Sequence, residues 1–94
     1  MKDLSNHHLM FIEPVGEPKL VDDELTNQVR DLFTRCVIGQ RWRGSHECSC
    51  GARSTSWDYV TPKGLLTNSL LVHYVQFHRD EIPMSELIKL GEEL

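Results

Sequence analysis

The chain of 94 residues lacks the features of a membrane-spanning or secreted protein. No apolar run approaches the roughly 20 residues that cross a bilayer, and the N-terminus has no apolar core of the kind found in signal peptides. Cysteine is scarce, and its count of three would leave one thiol unpaired in a disulfide framework. We therefore expect a cytoplasmic protein that has no membrane partner and keeps its thiols reduced.

The composition is ordinary for a globular protein, with 39% hydrophobic and 26% charged residues. A chain of this length forms one domain, and it buries a smaller fraction of its surface than a larger domain does. A bound metal would therefore contribute usefully to its stability. We predict a single domain over residues 1–94.

A strong overall basic charge is also missing, because the net charge is −4. Residues 30–63 nevertheless carry six basic and three acidic side chains between two acidic flanks. This basic segment either neutralises the flanks or contacts an anionic partner. For the second case, phosphate contacts and base stacking would come from Arg41, Trp42, Arg43 and Arg53.

The first half of the chain predicts a strand and a helix. Residues 8–12 form a short apolar run that is closed by prolines and a glycine, which indicates a strand and a turn. Asp22 and Asp23 then offer a helix cap. Apolar residues follow at helical spacing as far as Val37, and Gly39 is placed to end the helix. Cys36 lies in this stripe, which predicts core packing.

The second half predicts a β-hairpin and two helices. Residues 46–50 and 54–60 flank Gly51 and suit a hairpin, and residues 61–64 form a further turn. A helix capped by Thr67 or Asn68 should run to about residue 79. Pro83 should separate it from a short last helix that contains Leu87, Ile88 and Leu90 and has Gly91 near its end. The predicted class is α+β, with the cysteine-bearing hairpin packed on the histidine-bearing helix.

Two pairs of metal-binding side chains stand out in this half of the chain. Cys48 and Cys50 are separated by one residue, and His73 follows after 22 more, with His78 five positions further on. Zinc binds thiolate sulfur and imidazole nitrogen in a tetrahedral arrangement, and the histidine spacing is typical of such sites. The sequence therefore predicts one Zn²⁺ per chain, held by these four residues.

Helix geometry allows both histidines to reach one ion if the helix loosens at its end. At about 100° per residue, His73 and His78 diverge by roughly 140° around the axis, and they flank the apolar face expected to pack on the hairpin. Loosening in the last turn would let the two rings converge. His46 remains an alternative, because it would share a strand face with both cysteines and could replace a histidine or hydrogen-bond a thiolate.

A cysteine-bearing hairpin followed by a helix with H-x4-H resembles the ββα arrangement of Cys2His2 zinc fingers over residues 45–79. The resemblance implies a similar metal site. The chain departs from that family in having one residue between its cysteines and a loop of 22 residues, where about 12 are usual. DNA recognition does not carry over, since the helix residues that would read bases are not identifiable.

The motifs favour a binding protein over an enzyme. Glu47 beside the cysteines could act as a general base, but the chain has neither an H-E-x-x-H sequence nor the signature of the zinc deaminases. Two thiolates and two imidazoles also complete a tetrahedral site without an open position. We expect a non-enzymatic, metal-stabilised module that binds another protein. Nucleic-acid binding is the alternative, and a zinc-dependent hydrolase is a more distant one.

Overall fold

The computed structural model describes residues 8–41 and 46–94, and within these ranges three α-helices accompany one three-stranded antiparallel sheet. In chain order the elements are α1 (Glu24–Thr34), β1 (Val37–Arg41), β2 (Trp57–Val60), β3 (Leu66–Thr67), α2 (Leu71–Phe77), a 3-10 turn (Arg79–Glu81) and α3 (Met84–Glu93). The predicted α+β class is confirmed. No helix in the described ranges is long and apolar enough to span a bilayer.

Helix α1 begins at a cap that the sequence predicts. Asp23 Oδ1 accepts a hydrogen bond from the backbone N–H of Thr26 at 3.1 Å, which satisfies a donor that lacks a partner within the helix. Val29 and Leu32 are fully buried on its inner face. Arg79 pairs with the Asp23 carboxylate at 2.8 Å, and this pair connects the start of α1 to the 3-10 turn.

The predicted end of this helix is wrong, because the chain leaves the helix after Thr34. Val37 and Ile38 instead begin β1, where they pair with Val60 and Tyr59 of β2. Branched side chains suit a strand. Gly39 lies within this strand, and a Cβ atom there would come within 2.7 Å of Val60 Cγ2. The glycine therefore permits close packing across the strands and does not end the helix.

Within the described residues, the segment that begins at His8 contributes one bridge to the sheet. His8 pairs with Leu66 in a parallel bridge, and Leu9 N donates to Leu66 O at 2.7 Å. Met10 has a φ of 65°, which interrupts an extended strand. Its N–H donates to Glu86 Oε1 on α3 at 2.8 Å. The strand predicted over residues 8–12 is thus reduced to one bridge at His8 and two buried side chains, those of Leu9 and Met10.

The predicted hairpin forms around Gly51 only as a short turn, and residues 57–60 pair elsewhere. Residues 46–54 make a short loop closed by an antiparallel bridge between Glu47 and Arg53, and Ser54 N donates to His46 O at 2.9 Å. Strand β2 pairs with β1 on one side and β3 on the other. The preference of residues 57–60 for a strand was correctly predicted, but the pairing partner was not, because β1 was assigned to the preceding helix.

The C-terminal part of the chain holds the helix that carries the histidines. Asn68 Oδ1 accepts from Leu70 N at 2.8 Å, and α2 starts at Leu71. The helix is shorter than predicted, since it ends at Phe77 and passes into the 3-10 turn. Helix α3 is longer than predicted and includes Gly91.

The hydrophobic core lies between α1, α2, α3 and the N-terminal segment. Its buried members are mainly aliphatic, together with one tyrosine and one cysteine. They are Leu9, Met10, Val29, Leu32, Cys48, Leu70, Leu71, Tyr74, Val75, Ile82 and Leu90. Cys48 is the only cysteine among them, so the cysteine-bearing loop is packed directly against the core.

Candidate metal centre

Two separate parts of the chain bring four metal-binding side chains together. The sulfur atoms of Cys48 and Cys50 and one nitrogen each of His73 and His78 all lie within 4.8 Å of one another. A tetrahedral zinc ion with ordinary bond lengths would place its sulfur and nitrogen ligands about 3.5 Å apart. The group is therefore compact enough for one ion to reach all four atoms.

The cysteines lie on a tight turn that the local sequence favours. Cys48 N donates to Ala52 O at 2.8 Å, and Gly51 N donates to Cys48 O at 2.9 Å. Gly51 has a φ of 100°, which is strained for any residue with a side chain. This turn points both sulfur atoms toward α2, although only one residue separates them in sequence.

The histidines converge because the helix ends between them. His73 lies within α2, whereas His78 follows its last residue with φ −129° and ψ 36°, outside helical geometry. In a continuous helix their directions would differ by roughly 140°. The two ring centroids are instead only 5.0 Å apart. The helix thus ends before His78, and this supplies the loosening that the convergence of the two rings requires.

The four side chains form an inner pair and an outer pair. Cys48 Sγ lies 3.2 Å from His78 Nε2, and these two residues are only 2% and 3% exposed. Cys50 Sγ lies 3.2 Å from His73 Nε2, with Cys50 exposed and His73 half-buried. An ion bound here would be enclosed by the core on one side and would lie near solvent on the other.

The surroundings of the two thiols differ accordingly. Burial is the main cause that raises the pKa of the Cys48 thiol, although the Cys50 backbone N–H partly opposes this. The pKa of the Cys50 thiol is lowered, first by the His78 imidazole and then by the Ala52 backbone N–H. Cys50 is therefore the thiol that ionises more readily, and the thiolate is the form that binds metal.

Burial and the proximity of His78 favour a neutral imidazole at His73. Its pKa is lowered, first by burial and then by the proximity of His78. The ring packs against Phe77, with centroids 5.3 Å apart. Tyr74 lies near the same group of side chains. Burial raises the pKa of the Tyr74 hydroxyl to about 12, and the charges of Cys48 and Cys50 add to this effect. A neutral imidazole is the form that coordinates a metal.

Glu81 is a supporting residue that sequence reasoning missed. Its Oε2 lies 3.2 Å from Nδ1 of His78, and its Oε1 accepts hydrogen bonds from Val15 N and Gly16 N at 2.9 Å each. These two N–H groups are the largest cause of a lowered Glu81 pKa. A carboxylate at Nδ1 holds the proton there and leaves Nε2 free to bind a metal. The H-x-x-E spacing from His78 is the signal that could have revealed it.

The other predicted site residues lie elsewhere. His46 is outside the group of four, and its Nε2 is 3.5 Å from Asp58 Oδ1. Cys36 follows α1, is half-buried and has its Sγ 3.5 Å from Leu32 O. It does not belong to the hydrophobic core, so the core packing predicted for it is wrong.

The basic segment is only partly described. Arg53 is largely exposed and lies 3.5 Å from Glu47. Arg41 ends β1, whereas Trp42 and Arg43 lie outside the described residues. The structure therefore brings the four predicted metal ligands together. Among the predicted nucleic-acid contacts, Arg53 is the residue whose side chain it describes.

Comparisons with protein-family models, with curated proteins and with solved structures find no match to this chain. Its function must therefore be argued from the four converging side chains and their surroundings.

Proposed function

We propose that the chain is a small zinc-binding protein whose ion is held by Cys48, Cys50, His73 and His78. The observation that carries this proposal is the convergence of their two sulfur and two nitrogen atoms within 4.8 Å. Zinc is the ion that prefers two thiolates and two imidazoles in a tetrahedron. Two thiolates would also neutralise the charge of the ion, which suits a site half enclosed by the core.

The proposed role of the ion is structural. The four side chains complete a tetrahedral site, and a catalytic zinc needs an open position for water or substrate. In the described ranges no further histidine, cysteine or carboxylate belongs to the group. The ion would join the cysteine turn to the end of α2, two segments that are far apart in sequence. We therefore propose a non-enzymatic protein of the reducing cytoplasm, where its thiols stay available for the metal.

Metal content and ligand type test this proposal together. Protein purified without chelator should contain one zinc per chain, and its cobalt-substituted form should show the absorption bands of tetrahedral cobalt with thiolate ligands. Removal of zinc should lower the melting temperature, because metal-binding free energy becomes folding free energy. Less than about a tenth of an equivalent of any transition metal, or an octahedral cobalt spectrum, would refute the site.

A protein partner is the second part of the proposal. The net charge of −4 would repel a nucleic acid outside the immediate contact surface. Arg53, one of the predicted phosphate contacts, is paired with Glu47. We expect no binding of single- or double-stranded oligonucleotides at about 0.15 M salt, where nucleic-acid proteins retain measurable affinity. Affinity in the micromolar range that falls with salt and is lost in an Arg41→Glu, Arg43→Glu variant would instead establish the nucleic-acid alternative.

A further inference from the structure

The segment over residues 14–19, which we call the strap, crosses the surface beside the metal centre. Two prolines and a glycine keep it from forming regular structure, and it forms neither helix nor strand. Pro14 is buried, but residues 15–19 are exposed, with Val15 at 84%, so apolar burial contributes little to holding that part of the strap. The position of residues 15–19 therefore depends mainly on hydrogen bonds.

These hydrogen bonds converge on the metal centre. In the described part of the chain, each hydrogen bond found for the strap goes to a residue within three positions of a proposed ligand. Pro14 O accepts from Ser49 Oγ at 2.7 Å, and Ser49 lies between the two cysteines. Lys19 N donates to Phe77 O at 2.8 Å, one residue before His78.

Glu81 makes the most direct connection. One carboxylate oxygen binds the N–H groups of Val15 and Gly16, while the other faces Nδ1 of His78. The same side chain therefore orients a proposed zinc ligand and fixes the centre of the strap. A cavity of about 230 Å³ lies between the strap and the end of α2, and Gly16, Lys19, Phe77 and Glu81 are among its lining residues.

We propose that metal occupancy controls the docking of the strap through Glu81, so that the protein has a zinc-dependent surface. This inference rests on the zinc site proposed above. With zinc bound, His78 is fixed and Glu81 is held where it accepts both strap N–H groups. When zinc leaves, His78 and the cysteine turn lose their common anchor, the strap is released and the cavity opens. Because coupling between two equilibria is reciprocal, a strap that cannot dock must also weaken zinc binding.

Amide hydrogen exchange on the zinc-loaded full chain tests the first half of this coupling. Glu81→Ala should raise the exchange rates of the Val15 and Gly16 amides by about tenfold or more, since each loses a hydrogen bond to a charged group. Asp80→Ala is the matched control, because it removes the same charge from the same 3-10 turn. The Leu9 amide, bonded to Leu66 O, should be unchanged in both variants. Equal exchange at residues 15 and 16 in both variants would overturn the proposal.

The zinc affinity of strap variants tests the reverse effect, in which docking of the strap changes zinc binding. These variants leave the four proposed ligands and Glu81 unchanged. Gly16→Pro removes one of the two N–H donors, and Glu17→Pro places the same ring at a neighbouring position for which no hydrogen bond is found in the described residues. We expect a competition assay with a metal indicator to show weaker zinc binding for Gly16→Pro than for Glu17→Pro. Equal affinities for these two variants and the wild type would refute the coupling while leaving the zinc site intact. Absence of zinc binding in the wild type would refute the site itself.

Discussion

Replacing each cysteine by alanine in turn separates the contribution of zinc from that of the core. Cys48 is 2% exposed and belongs to the hydrophobic core, whereas Cys50 is exposed. Both variants should lose the stabilisation that zinc provides. That stabilisation is about 4 kcal/mol when free zinc is a thousand times its dissociation constant.

Without zinc, the two variants should differ from each other. Cys50→Ala should lie within about 0.5 kcal/mol of the zinc-free wild type, as is usual for exposed substitutions. Cys48→Ala leaves the buried Nε2 of His78 without its 3.2 Å partner, and an unsatisfied buried polar group costs about 1–3 kcal/mol. The free energy of unfolding should therefore fall further in Cys48→Ala.

Urea unfolding followed by tryptophan fluorescence, with and without a chelator, measures both effects. The increase in the free energy of unfolding that zinc produces should fall to near zero in both variants. If Cys50→Ala retains the full stabilisation by zinc, Cys50 is not a ligand. If the two variants are equally stable without zinc, the distinction between an inner and an outer pair is wrong.

Two further predictions concern the frame around the site. Arg79 lowers the pKa of Asp23, so this pair stabilises the fold above the ordinary carboxyl pKa of 3.8 and the stabilisation is lost as pH falls through the lower folded value. Asp23→Asn should thus reduce the melting temperature at neutral pH and flatten its decline in acid, and an unchanged acid profile would contradict the pairing. Gly39→Ala should cost about 1–3 kcal/mol in urea unfolding, because its Cβ would lie 2.7 Å from Val60 Cγ2; a neutral result would show that β1 and β2 do not pack so closely.

Local patterns predicted the parts of this fold that depend on nearby residues. The Asp23 cap and the apolar face of α1 each follow from a few neighbouring side chains. The four clustered side chains were predicted as well, because sulfur and imidazole pairs at such spacings have few other structural uses. Their binding of zinc stays a prediction.

The errors arose where distant pairing decides the structure. The apolar spacing of α1 continues to Val37 and therefore predicts a helical residue there. Val37 lies in β1 instead, because it pairs with Val60, 23 residues away. Glu81 was missed for a similar reason. The H-x-x-E spacing could have indicated its contact with His78, but its bonds to Val15 and Gly16, more than 60 residues earlier, leave no local pattern.

X-ray absorption at the zinc edge tests the central claim most directly. For the zinc-loaded protein, the account predicts two sulfur atoms at about 2.3 Å and two nitrogen atoms at about 2.0 Å around each ion, with second-shell scattering from imidazole rings. The Cys50→Ala variant should lose one sulfur or fail to bind. A shell made only of oxygen and nitrogen atoms, or one containing three or more sulfur atoms, would contradict the assignment of Cys48, Cys50, His73 and His78 as the ligands.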